Sequence, residues 1–242
     1  MSIGAFTEEE RAALAQVVEA LDPNGPPCIV FVLRARQPIR RPGQRLGVFS
    51  GSFDPLTRAH VRMMEQAIAE HGLAEVMLVL DKVNVDKREV CGASLAERLG
   101  MLRRFAAGRH RLSAAASSHG RFVDKANALR AIYPEGTEIT FIVGFDTLVR
   151  VFDPRYYSDP EAELEELFRL SRFTVANRGE ATVADVRRWL ERPACRPFVD
   201  RIHLTELDPF LARISSSEVR ARIERGQPVA ELIPSEIVPL IR

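Results

Sequence analysis

LGVFSGSFDPLTRAH, residues 46–60, carries the change of pattern on which the fold turns. Leu46 to Ser50 is a short apolar run of the kind that forms a buried strand. Gly51 and Ser52 let the backbone approach a ligand closely, and glycine can take a positive φ. Asp54-Pro55 sets a turn. Thr57 can cap the helix that follows, which places Arg58, Ala59 and His60 in its first turn. Free backbone N–H groups and the positive end of the helix dipole then converge just beyond the strand, a spot suited to an anionic phosphate. His60 projects from that spot and can donate a hydrogen bond to a transferring phosphoryl group.

Strand and helix alternate onward from this unit. Apolar runs predict strands at 76–80, 139–143, 173–176 and 201–204. Helices are predicted at 57–71, 94–105, 124–132, 160–170, 183–190 and 216–225, the second opened by a Ser94/Glu97 capping box and the last closed by Gly226 and Pro228. This alternation implies a mostly parallel, doubly wound α/β sheet of Rossmann-like form with helices on both faces. Such sheets bind ligands beyond the carboxyl ends of their strands. Upstream, residues 1–45 form an extension. Thr7 and Glu10 open a helix to about Leu21, Cys28 to Leu33 reads as a strand, and RARQPIRRPGQR is a basic surface loop or linker. The extension is expected to pack on the main domain, residues 46–242.

The composition excludes several classes. Of 242 residues, 46% are hydrophobic and 28% charged, enough for a real core. Lys and Arg number 34 against 33 Asp and Glu, so no surface for a nucleic-acid polymer is expected, though a local basic pocket is allowed. No run of eighteen apolar residues predicts a membrane span, and the acidic start is unlike a secretory signal. Cys28, Cys91 and Cys195 stand far apart, and the five histidines form no HExxH pattern, so neither a disulfide framework nor a protein metal site is expected. A cytoplasmic location fits, and a homo-oligomer is compatible with the chain.

Two further segments carry chemistry. In ISSSEVR, residues 214–220, Ser215 and Glu218 fit a capping box. Ser216 and Ser217 then present N–H and hydroxyl groups at a second helix start. Arg220 lies four residues beyond Ser216 on the same helix face and offers a forked cationic donor. In VGFDTL, residues 143–148, Gly144 lets a base or ribose lie against the backbone, and Asp146 can accept from hydroxyls or an amide. Lys82, Lys87 and Arg88 follow the second strand of the alternating region, where a cation could hold a phosphate. Arg98 reads as a surface ion pair, and Trp189 as core.

Together these motifs resemble the nucleotidyltransferase superfamily of HxGH type. Its pattern G-x-F-[DN]-P followed by [HT]-x-x-H is met by Gly51, Phe53, Asp54, Pro55, Thr57 and His60. Thr57 stands for the commoner histidine and Ala59 for the usual glycine. Ile214-Ser-Ser-Ser-Glu-Val-Arg220 is similar to the second signature. Gly144-x-Asp146-x-Leu148, with Arg178-Gly179, resembles the nicotinamide and nicotinate mononucleotide adenylyltransferases, and GFDTLVRVFDPRYY a fungal-like branch of them. The resemblance implies transfer of AMP from ATP to a pyridine mononucleotide, giving NAD or its deamido form and pyrophosphate. It implies His60, Ser216 and Arg220 as catalytic residues. ATP would be bound by these with Gly51, Ser52, Phe53, Thr57, Gly144, Asp146 and Ser217. The mononucleotide would be bound by Ser52, Phe53, Lys87, Leu148 and Arg178, and Mg²⁺ would be held mainly through ATP phosphates. The alternatives are adenylyl or cytidylyl transfer to another phosphate metabolite (phosphopantetheine, FMN or an alcohol phosphate), or a catalytically weak nucleotide-binding protein of this fold.

Overall fold

Apolar runs buried on both faces pair into one sheet, as parallel strands must. In the computed structural model, which describes residues 6–83 and 92–241, the extension supplies helix α1 (Glu8–Ala20) and strand β1 (Ile29–Leu33). The main domain runs β2 (Arg45–Gly51), α2 (Arg58–His71), β3 (Glu75–Asp81), α3 (Leu95–Ala107), β4 (Leu112–Ser117), α4 (Phe122–Ile132) and β5 (Glu138–Gly144). It continues with α5 (Phe145–Val151), α6 (Pro160–Leu170), β6 (Ser171–Ala176), α7 (Val183–Leu190), β7 (Ile202–Thr205), α8 (Pro209–Arg213) and α9 (Ser216–Glu224).

The strand order is β1-β4-β3-β2-β5-β6-β7. All pairs are parallel except β1 with β4, which is antiparallel. Without β1, the order of the other six is that of a doubly wound dinucleotide-type sheet, 3-2-1-4-5-6. The order reverses between β2 and β5, so their carboxyl ends, Gly51 and Gly144, flank the crevice. One core packs the sheet against α1, α2, α3, α8 and α9. The other packs it against α4, α5, α6 and α7.

The extension is integral to these layers. Its β1 forms the sheet edge, and Phe6 and Leu14 press on α3 at Gly100, where a Cβ would lie 2.7 Å from the Phe6 ring. Lys82 donates to the carbonyls of Glu19 and Leu21, closing the end of α1. Its ammonium is therefore tied to the extension.

Three local readings need correction. Strand β4 was not predicted, because LSAAAS has neither alternation nor β-branched side chains. Its small residues are buried throughout. The left-handed backbone of the first motif lies at Phe53 (φ 42°), not at Gly51. At α9 only half a capping box forms. Ser215 accepts from the Glu218 amide at 3.1 Å, but the Glu218 carboxylate turns to Arg222 at 2.8 Å.

Candidate active site

A cleft of about 500 Å³ opens at the switch point, within the usual size range of small-molecule sites. Its first wall is the end of β2 and the start of α2. Thr57 caps α2, and the Thr57 amide donates to His60 Nδ1 at 2.9 Å. A ring nitrogen that accepts carries no proton, so the neutral imidazole bears its hydrogen on Nε2. Burial, aided by the Arg178 charge, pulls the His60 pKa down to about 3. His60 is therefore a fixed neutral donor on the cleft wall, not a cation. The rings of Phe49 and Phe53 stand 5.6 and 5.5 Å from it and hold its plane.

The second wall is the end of β5. At Gly144 a Cβ would lie 2.6 Å from Asp146 Oδ1 and 2.7 Å from Arg178 Cγ, so a side chain there would displace both neighbours. Asp146 is exposed and pairs with Arg150 at 3.2 Å. Arg178, just after β6, donates to the Ile214 carbonyl at 2.8 Å, while its Nη1 is buried without a partner. Burial lowers its pKa.

The third wall is the start of α9. Ser216 Oγ donates to the Pro55 carbonyl at 2.8 Å and Arg220 Nη1 to the Asp54 carbonyl at 2.7 Å. These bonds clip the second helix start onto the loop that precedes the first. Two N-terminal helix ends thus face one cleft, each with amides and a positive dipole end for anionic oxygens.

Among the lining residues, Lys82, Arg98, Arg121, Arg150 and Arg178 outnumber the carboxylates Asp81 and Asp146. A chain of net charge +1 therefore concentrates cation at this site. Arg98 is only 3% exposed, against the surface position expected for it. It donates to the Ser52 carbonyl at 3.2 Å, its Nε is buried without a partner, and burial lowers its pKa. Asp81 accepts from Ser50 at 2.9 Å and faces the fully buried Lys125 at 3.0 Å. Burial pushes the Asp81 carboxyl up, with Lys125 opposing.

The cleft brings together Gly51, Ser52, His60, Gly144, Asp146, Arg178, Ser216 and Ser217 of the predicted set. Phe53, Thr57 and Leu148 turn their side chains into the core, at 1%, 0% and 0% exposure. Their contact with a ligand is thereby limited to backbone atoms, and each instead shapes the wall. Arg220 lies against Asp54 rather than among the lining residues. Lys87 lies outside the described residues. Arg98, Asp81, Lys125 and Arg121 were not singled out for the site. Their one sequence signal is position, since Asp81 ends a strand and the others lie near the starts of helices that follow strands. Trp189 packs on Phe145 and Phe152 as a core residue.

The family model described as cytidylyltransferase-like matches residues 48–222, from the first wall to the third. A Dehalococcoides mccartyi protein provisionally named nicotinate-nucleotide adenylyltransferase is 26% identical over 204 residues, covering 82% of this chain and 94% of its own length. A Chromobacterium violaceum protein of the same provisional name is 29% identical over 82% of this chain and 96% of its own length. A Schizosaccharomyces pombe protein provisionally named nicotinamide mononucleotide adenylyltransferase is 28% identical over 81% and 83%. The solved structure of Plasmodium falciparum nicotinic acid mononucleotide adenylyltransferase complexed with NaAD shares the fold. Its TM-score is 0.60 at 17% identity, covering 81% of this chain and 95% of that one. Among the described residues no helix is long and apolar enough to cross a membrane.

Proposed function

The chain belongs to the cytidylyltransferase-like family, and on that premise we propose that it transfers AMP from ATP to a pyridine mononucleotide, releasing pyrophosphate. The observation that carries this reading is the meeting, in one cleft, of two helix N-termini, a fixed neutral imidazole donor and two buried guanidinium groups with open N–H positions. Such a site stabilises negative charge on phosphoryl oxygens. The provisional names of the relatives supply the pyridine mononucleotide.

In this reading the mononucleotide phosphate attacks the α-phosphorus of ATP, and the bond to the β-phosphate oxygen breaks. Catalysis is positioning and charge stabilisation, as in phosphoryl transfer generally. His60 Nε2 donates to an α- or β-phosphate oxygen. The start of α9, with Ser216, Ser217 and Arg220, takes the β- and γ-phosphates, and Gly51, Ser52 and Gly144 frame the nucleotide. Arg178 and Arg98 add cationic donors beside them. The two cleft carboxylates are engaged, Asp81 by Ser50 and Lys125 and Asp146 by Arg150. That donor set suits Mg²⁺ arriving on the ATP phosphates with most of its waters kept, where it neutralises phosphate charge.

The test is incubation of the purified protein with ATP, Mg²⁺ and, separately, nicotinamide mononucleotide, nicotinate mononucleotide, phosphopantetheine and FMN, with products separated by chromatography. A dinucleotide and pyrophosphate from either pyridine mononucleotide is the expected result, and the better substrate fixes the ring preference. Product from another acceptor alone, or ATP binding with no turnover, overturns it.

A further inference from the structure

At the end of α2 remote from the cleft, Glu70, His71 and His203 converge. Each offers one ligand atom, and these atoms all lie within 4.8 Å of one another. From these three side chains the geometry points to a divalent transition-metal site, of the class that takes Zn²⁺, binding α2 to β7.

The distances fit one ion. His203 Nε2 and Glu70 Oε2 are 3.1 Å apart. Two ligands at about 2.0–2.1 Å on a tetrahedral zinc stand roughly 3.4 Å apart, so this pair already has the spacing of one coordination edge. The His71 and His203 rings stand 4.7 Å apart, edge to face at 87°, so both imidazoles border the same space beside Glu70. The donors are two imidazoles and one carboxylate. That mix selects zinc and its neighbours over Mg²⁺ or Ca²⁺, which favour oxygen alone.

The surroundings orient these ligands as outer partners do in metal sites. Thr205 Oγ1 donates to Glu70 Oε1 at 2.9 Å, which fixes the carboxylate and leaves Oε2 toward His203. Thr174 Oγ1 lies 2.6 Å from His71 Nε2, which holds the plane of that ring. Both threonines are buried. Arg45, a neighbouring cation, is paired with Glu138 at 3.1 Å. His203 and Glu70 keep 49% and 34% side-chain exposure, so an ion can enter from solvent and retain a water. His60 stands eleven residues earlier on the same helix, roughly 16 Å away along its axis. An ion here acts on the anchorage of that helix rather than on bound nucleotide.

Isothermal titration of the untagged, chelator-stripped full chain with Zn²⁺, and separately with Mg²⁺, tests the site, alongside thermal unfolding. One equivalent of Zn²⁺ should bind at micromolar Kd or tighter, raise the unfolding midpoint, and outcompete Mg²⁺. His203→Ala and Glu70→Gln should each weaken Zn²⁺ binding at least tenfold. His203→Ala alters an exposed side chain, so circular dichroism should match the parent, and a spectrum that differs passes the decision to Glu70→Gln. No zinc binding by the parent chain, or a loss under tenfold in the folded variants, overturns the site.

Discussion

The two helix starts that face the cleft look alike in sequence and differ in construction. Both open on a hydroxyl that accepts from the amide three residues on, Thr57 from His60 and Ser215 from Glu218. At α2 the third residue returns the favour, and the His60 ring is locked onto the Thr57 amide. At α9 it does not. Glu218 leaves for Arg222, and the helix start is held by Ser216 and Arg220 reaching the carbonyls of Pro55 and Asp54. The first start is therefore closed upon itself and presents one fixed donor. The second has two of its donors, Ser216 Oγ and Arg220 Nη1, on loop carbonyls, and these must leave them to take phosphate. Preorganised donors contribute most to rate, because they cost no rearrangement at the moment of reaction.

The sharpest way to break this contrast is at His60. His60→Ala should lower turnover by about 10² or more with the fold intact, the usual cost of one charge-stabilising donor. Steady-state kinetics check it, and near parental turnover removes His60 from the mechanism. The same residue makes a pH prediction. Its folded pKa of about 3 lies below the ordinary 6.5, so between those values the unfolded chain holds more protons. Stability conferred by the neutral ring is thus complete above about pH 6.5 and is lost as pH falls toward 3. Urea unfolding across pH 4–7 should show a shallower acid slope in His60→Gln than in the parent chain. Equal slopes would mean that His60 protonates freely in the fold.

At the second start the expected effect is smaller and of a different kind. Arg220→Ala should raise the KM for ATP and lower kcat, together roughly tenfold in kcat/KM, or about 1.4 kcal/mol. A guanidinium that must leave Asp54 to meet phosphate contributes only the difference between its two partners. Unchanged kinetics would make Arg220 a clip for the loop alone, and a loss as large as at His60 would make the two starts equivalent.

These differences mark how far the sequence could be read. The alternation of strand and helix, the caps at Thr7, Thr57 and Ser94, and the helix starts after Thr57 and Ser215 follow from local patterns and were legible. Strand β4 was not, because a strand buried on both faces needs only small apolar residues, and LSAAAS carries no period. The extension was legible as a helix and a strand, but its attachment rests on distant partners, β4 and α3. Arg98 was read as surface because an arginine's burial depends on what closes over it, here the Ser52 carbonyl and the cleft. The roles of Phe53, Thr57 and Leu148 were obscured for the converse reason. A motif specifies which residues recur near a ligand, not which of them turn inward to hold the others.

Thr57 tests whether the closed start works through its cap. Thr57→Val keeps the shape and removes the acceptor. It should cost about 1 kcal/mol of stability, the usual value of an N-cap, and lower kcat several-fold with KM for ATP unchanged, because the His60 ring loses its partner at 2.8 Å. A stability loss with parental kcat would show that the backbone amide alone orients the ring.

The smallest effect is the most discriminating for the comparison itself. By sequence Glu218 is the capping-box partner of Ser215, whereas its carboxylate lies on Arg222, which also holds Glu231 at 2.9 Å. The Glu218 side chain is 44% exposed, and exposed pairs of this spacing contribute about 0.5 kcal/mol or less. Glu218→Ala should therefore shift stability by no more than that, with kinetics unchanged, while Ser215→Ala, which removes the acceptor for the Glu218 amide, should cost about 1 kcal/mol. Denaturant midpoints of the two variants measured side by side decide the matter. If Glu218→Ala costs as much as Ser215→Ala, the α9 start closes on itself as the α2 start does, and the division of labour between a fixed donor and a releasable one fails.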